Sequence, residues 1–246
     1  MKIIIDYFKT SIWTIISFVL VIFLILIPLA SFLSYSFFTV DGLDINHQFS
    51  LSNYKEFFID EIYINTFVRT IFLALIVMSS CILLGYPVAY FLARYAGRFK
   101  YAILLMLIIP LFMSYIIKIY MMRSILGYSG LINKVLKMMG LIDKPLEFFL
   151  WNQNSVIITL VIILLPLIII PTFTSLDKIP SNIIEASFDL GCKPFQAFRY
   201  VIFPIGFPGL VVGGIFVFIL ALGDFVTPQL VGGTSGFTYG KIIYSN

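Results

Sequence analysis

Charge is what this sequence has least of: 11% of its 246 residues are Asp, Glu, Lys or Arg, against 61% that are hydrophobic. A soluble domain is about half apolar and about a quarter charged, so no water-facing surface can be assembled from this composition. The mean hydropathy of +1.06 points the same way, and lipid must be the solvent. Histidine is nearly absent. The single one, His47, falls in a polar connection, so no Ser/His/Asp set can be built and enzymatic chemistry has no support. Cysteine is scarce as well. Cys81 lies in an apolar run and Cys192 in a polar loop, so they read as free thiols, and with one histidine they make no metal site by spacing. No G-x-x-x-x-G-K-[ST] occurs, so the chain lacks a phosphate cradle and any ATP it depends on must be handled by another chain. The net charge of +4 is scattered over loop lysines and arginines, which is not the basic stripe of a nucleic-acid binder.

What the sequence has is long apolar runs. A helix needs about 20 apolar residues to cross the hydrocarbon of a bilayer. Five stretches qualify, at residues 12–38, 64–92, 101–122, 156–176 and 206–231. The first is too long for the core of a signal peptide and lacks a small-x-small cleavage site, so it reads as an uncleaved span. Every run contains proline or glycine, including Pro28, Pro87, Pro110, Pro166 and Pro171, which a membrane bundle tolerates where neighbours satisfy the freed backbone groups. Gly209, Gly213 and Gly214 give the fifth run a small-residue face for close helix packing. The predicted fold is an all-α, polytopic transmembrane bundle occupying residues 1–246 as one domain.

The connections differ in character. The first carries Asp41, Asp44, Glu56, Asp60 and Glu61 against Lys55, whereas the second is short and basic, with Arg94, Arg98 and Lys100. In the third, Leu131, Ile132, Val135, Leu136 and Met139 fall on one helical face opposite Asn133, Lys134 and Lys137. This predicts a short helix over about 129–139, lying at the membrane interface on the periplasmic side, capped by Ser129 and ended by Gly140. With the N-terminus inside, eight of the sixteen basic residues are cytoplasmic, so the raw count is balanced. The cluster in the short second connection places the N-terminus in the cytoplasm. Five spans then leave Asn246 outside, and a sixth span is expected beyond it.

The fourth connection, residues 177–204, is too polar to cross a bilayer but is patterned. Pro180-Ser181-Asn182 reads as a helix start and Asn182 with Glu185 as a capping-box pair. Gly191 suits a left-handed helix end and Pro194 the first turn of a second helix. The prediction is a helix, a tight turn and a helix, the form that a rigid contact with a partner requires.

These residues carry a resemblance. Glu185-Ala186-Ser187, Gly191 after three more residues, and Pro204 closing Val201-Ile202-Phe203-Pro204 resemble the EAA loop of ABC importer permeases. That loop reads Glu-Ala-Ala, then Gly, then Ile-x-Leu-Pro, and the departures at Ser187, Val201 and Phe203 are mild in size and polarity. Leu84-Gly85-Tyr86-Pro87-Val88-Ala89-Tyr90, Lys118-Ile119-Tyr120, Gly140-Leu141-Ile142-Asp143 and Leu222-Gly223-Asp224-Phe225-Val226-Thr227-Pro228 are similar to the spermidine/putrescine branch of that family. The resemblance implies a type I importer permease fold in a bacterial inner membrane, with Glu185, Ala186, Ser187, Asp189, Gly191 and Pro204 docking on an ATPase. The implied partners are a dimer of ATP-binding subunits that holds ATP and Mg, a second permease subunit, an extracytoplasmic solute-binding protein, and lipid. The chain itself would carry no cofactor and no catalytic residue.

Asp224 is the one carboxylate near the middle or end of a late span, and such groups usually face a cavity. A carboxylate there could meet a cationic polyamine, and Tyr86, Tyr90, Tyr115 and Tyr120 could add cation–π faces or serve as interfacial anchors. Lys118 and Arg123 argue against a uniformly cation-attracting vestibule. Two other readings stand beside a polyamine permease: a permease for thiamine, iron or a phosphonate, and a membrane assembly or anchoring protein with no transport path.

Overall fold

The computed structural model describes residues 2–41, 44–149 and 151–233. It forms two compact units that divide after Ile64. In the first, α1 (Lys2–Tyr35) is one unbroken helix with Pro28 inside it. Its Ile16–Tyr35 segment is long and apolar enough to cross a membrane. Two short antiparallel strands follow, β1 (Thr39–Asp41) and β2 (Asp44–Asn46), then α2 (Ser52–Ile59). The Asn53 amide donates to the carbonyls of Ser36 (3.1 Å) and Phe38 (2.8 Å), which pins α2 to the exit of α1. His47 packs edge-on to Phe38 with ring centroids 5.0 Å apart. The hairpin was not foreseen, because three residues per strand are too few to show an alternation.

The second unit is a helical bundle built around α7 (Gln153–Asp177), the most buried of its long helices. Asn152 caps α7, its side chain accepting from Ser155 N–H at 3.0 Å. Against α7 pack α3 (Glu61–Arg94) and α10 (Phe203–Leu222), with Val77, Cys81, Leu160, Ile168 and Val217 in one buried cluster. At the start of α7, the Arg69 guanidinium donates twice to Gln153 Oε1, at 2.8 and 3.1 Å. Glycine sets the distance between α7 and α10. A Cβ on Gly209 would overlap Pro171 O and Ser175 Oγ, and one on Gly213 would come within 2.9 Å of Leu167 O. Leu167 O is the carbonyl that Pro171 deprives of its helical donor, so the bare Gly213 backbone seats itself where α7 has an unused acceptor.

The all-α polytopic class stands: among the described residues four helices are long and apolar enough to cross a membrane, or five if the bent pair counts as one span. The third predicted run is not one straight span. It is α4 (Lys100–Ile108), a 3-10 turn over Ile109–Phe112 that contains Pro110, and, after extended Met113 and Ser114, α5 (Tyr115–Leu126). The segments Gly97–Phe112 and Tyr115–Met138 meet at a bend of 100°. Proline removes the backbone donor that would carry the helix forward, and a tighter turn replaces it.

The helix expected at about 129–139 is α6 (Leu131–Met138), and its caps and buried side differ from expectation. Gly130, not Ser129, is the N-cap. Asn133 is buried, donating to Gly127 O (3.2 Å) and accepting from Leu146 N–H (3.0 Å), while Leu131, Val135, Met138 and Met139 are exposed. Asn133 is turned inward by these local hydrogen bonds, while Lys134 and Lys137 stay exposed with the outer part of the apolar side. Gly140 does end the helix, at φ +69°.

Candidate functional site

Between α7 and the last long helix, the chain leaves the bundle as an elbow. Its first arm is α8 (Ser181–Asp189). The helix starts from Pro180, in extended conformation, with no side-chain cap, so the predicted Asn182–Glu185 capping box is not formed. Asn182 sits inside the first turn instead. At the other end, Gly191 has φ +87° and its N–H donates to Phe188 O (2.8 Å), while Cys192 N–H donates to Ser187 O (3.0 Å). These two bonds are a Schellman turn, which needs a residue free to adopt the left-handed region. The second arm opens with Pro194 at the first helical position of α9 (Pro194–Ala197), where Gln196 Oε1 accepts from Lys193 N–H at 2.8 Å.

The second arm does not end. α9 passes through a π-helical turn at Phe198–Ile202 directly into α10, giving one helix over Pro194–Leu222. The π turn lies just ahead of Pro204, whose ring would collide with Tyr200 O and which offers that carbonyl no donor; widening the helix by one residue removes the conflict. The second helix expected from Pro194 therefore runs straight into the span, with no boundary at residues 204–206. Beyond Leu222, the helix breaks at Gly223, and α11 (Val226–Val231) turns away, so the run at 206–231 is two helices and not one span.

On the elbow, Glu185, Ala186, Asp189 and Arg199 are exposed, and Ser187 is buried with its hydroxyl donating to Ile184 O at 2.6 Å. Around the carboxylates stand Phe188, Leu190 (87% exposed), Phe195 (70%) and Tyr200. Large apolar side chains this exposed, on an elbow that also carries Glu185 and Asp189, are unusual on a surface with no partner.

The elbow has a fixed root. Arg94, the last residue of α3, donates from Nη1 to Ile179 O (3.1 Å) and from Nη2 to Leu176 O (2.9 Å). Lys100, the first residue of α4, pairs with Asp177 at 2.7 Å, and Tyr101 hydroxyl donates to the same carboxylate at 3.2 Å. Sequence reading took Arg94 and Lys100 only as topogenic charge. The signal for more was their number in so short a connection, which puts two cations beside whatever ends next to it.

Of the residues weighed for a solute path, Asp224 and Tyr115 line one cavity. Asp224 is 8% exposed and lines this space of about 420 Å³ with Tyr115, Lys118, Leu164, Leu167 and Leu220. One carboxylate oxygen accepts from Val226 N–H (3.2 Å) and Thr227 N–H (3.4 Å), so it also caps α11. Tyr115 hydroxyl is 3.0 Å from Thr227 Oγ1 beside it. Tyr86 and Tyr90 do not join this group. They meet Phe198 of the π turn, with centroids 5.9 and 5.7 Å apart, at the opposite end of α10. A helix of 20 residues separates those ends by about 30 Å. Tyr120 is half exposed on α5 and does not line the cavity. Among the described residues no cluster of metal-ligating side chains occurs.

The spermidine/putrescine transport system permease protein PotB of Escherichia coli (strain K12) is 34% identical over 225 residues, covering 91% of this chain and 81% of that protein. The chain belongs to the ABC transporter permease family. The PotB of Salmonella typhimurium (strain SL1344) is also 34% identical, over 91% of the permease and 77% of the relative. The inner membrane ABC transporter permease protein YdcU of Escherichia coli (strain K12) is 33% identical over 85% of the permease and 70% of its own length. No family profile matches the permease. It is thus a multi-pass inner-membrane component of an ABC transport system, and its relatives are transporter permeases.

Proposed function

We propose that this permease carries a small cationic solute, a polyamine such as spermidine or putrescine, across the inner membrane, driven by ATP hydrolysed on a separate pair of subunits. The observation that carries the reading is the elbow: an exposed acidic helix set in an apolar rim, held at a glycine turn and anchored at its root. Such a surface suits an ATPase groove, and Glu185, Ala186, Asp189, Gly191 and Pro204 belong to it, whereas Ser187, counted with them in the sequence, is buried behind it. The names of the PotB relatives support the polyamine as cargo. A second permease subunit and a solute-binding protein complete the proposed assembly. The N-terminus is cytoplasmic in this reading, supported by Arg94 and Lys100 lying at the same end of the bundle as the elbow.

The docking role is tested with a cross-linker at residue 185. Capture of the ATPase by a Glu185→Cys permease is expected, and Glu185→Ala is expected to leave membrane insertion intact while uptake falls relative to hydrolysis. Failure to capture any nucleotide-hydrolysing subunit would end the docking assignment.

Cargo chemistry is tested at the cavity. If Asp224 meets an ammonium there, Asp224→Asn removes a charge-assisted hydrogen bond worth about 1.5–3 kcal/mol, so KM for putrescine rises about tenfold or more. Lys118→Met should then leave KM unchanged or lower it. Lys118 in the same cavity is the observation that favours the second reading, an anionic solute such as a phosphonate. In that case the two substitutions exchange their effects, read by uptake of each solute in membrane vesicles.

A further inference from the structure

We infer that Arg94 is a positioning residue for energy coupling: its guanidinium locks the joint between α7 and α8, so that a displacement of the elbow moves α3 and α4 with it. The inference rests on the permease reading above. Three residues, Lys178, Ile179 and Pro180, separate the end of α7 from the start of α8. Left alone, a joint of that length absorbs movement by rotating its backbone dihedrals, as hinge segments do. This one is clamped. Arg94 grips a carbonyl on either side of the joint's first residue, Leu176 O before it and Ile179 O after it. Lys100 and Tyr101 hold the carboxylate of Asp177 between those two points. Ile179 is itself buried, in one cluster with Leu92 of α3, Phe173 and Leu176 of α7, and Ile202 of the π turn. Joint, α3 and the foot of the last long helix therefore share one packed block.

The side chains doing the gripping come from α3 and α4, whereas the gripped groups belong to α7 and its joint. The main core contact between α7 and α10 is apolar and glycine-mediated and does not pass through Arg94. Losing the guanidinium should thus leave the bundle folded and the elbow surface present, but free to flex at its root. A planar two-pronged donor suits two carbonyls at once, and an ammonium does not reproduce that geometry. Arg94 Nε is buried without a hydrogen-bond partner, so the guanidinium sits where the fork must reach rather than where every donor is satisfied.

The test uses the whole transporter, the permease with its partner subunits and binding protein, in proteoliposomes. Uptake of radiolabelled putrescine and ATP hydrolysis are measured on the same preparation. For Arg94→Ala, hydrolysis is expected to persist while putrescine carried per ATP falls about tenfold, the span of a typical coupling energy. Arg94→Lys is expected to lie between the two. Should Arg94→Ala fail to assemble, the ion pair serves instead: Lys100→Asp and Asp177→Lys should each lower the ratio, and the double exchange should restore it. An unchanged ratio, or uptake and hydrolysis falling in parallel, overturns the inference, because a merely structural residue changes the amount of working transporter and not its stoichiometry. Absence of ATP-dependent uptake by the wild-type assembly is a different result: it removes the permease reading, and the inference with it.

Discussion

Gly209→Leu is expected to abolish the folded permease. The first carbon of any side chain there overlaps a backbone oxygen of α7, Pro171 O, and a neighbouring hydroxyl, Ser175 Oγ. Backbone cannot step aside as a flexible side chain can, so α10 would have to move off α7 along the main contact of the bundle. Overpacking of this kind costs about 3 kcal/mol or more, a large share of the stability of a domain. Even Gly209→Ala should lower the thermal unfolding midpoint in detergent and the amount recovered from membranes. Gly214→Ala is the control. Five residues further along α10, an added Cβ meets only side-chain atoms of Ile82 and Met78 at 3.6 Å and beyond, and near-wild-type behaviour is expected. Equal tolerance of both substitutions would mean that α7 and α10 do not approach as described.

Gly191→Pro is expected to eliminate ATP-driven uptake while the protein still inserts and folds. Proline fixes φ near −65°, whereas the turn requires +87°, and it removes the N–H that donates to Phe188 O. The Schellman turn cannot form, and α8 would leave the joint at another angle to α9. No heavy atom lies within 4 Å of a Cβ built at Gly191, so Gly191→Ala meets only the backbone penalty of about 1–2 kcal/mol and should retain partial uptake. Gly191→Asn, which tolerates the left-handed region better, should fall closer to wild type. The graded series distinguishes a conformational requirement from a contact made by the glycine itself; uptake that ignored the series would show that the turn has no part in coupling.

Much of this architecture could be read in the sequence because bilayer thickness constrains it. Long apolar runs can be little else, and the glycines of the fifth run announced a close helix contact that does occur. The turn at Gly191 and the helix start at Pro194 were legible too, since each depends on one residue's backbone chemistry. What was missed depends on geometry across the chain. Pro110 marked a perturbation, but whether a proline kinks a span or breaks it by 100° is decided by what packs beside it. The π turn before Pro204 has no composition of its own. Asn133 was placed on the wet face of α6 by periodicity, yet it is the buried one, because two backbone partners happen to lie within reach. The tyrosines were grouped with Asp224 by type. Helix length puts Tyr86 and Tyr90 at the far end, and Tyr115, weighed only in passing, is the one beside the carboxylate.

The unbroken helix from Pro194 to Leu222 has 29 residues and is about 44 Å long. Its tightest seat on α7, at Gly209, falls almost at its middle. Its foot, at Ile202, is packed with Phe173 and Leu176 of α7, so the two helices tilt together: about 5° about that middle shifts each tip by roughly 2 Å, in opposite directions. One tip carries the elbow and the other abuts the Asp224 cavity. Closing one side of the membrane and opening the other would then be a single rotation of this helix pair, with no need for a signal to be passed between two gates.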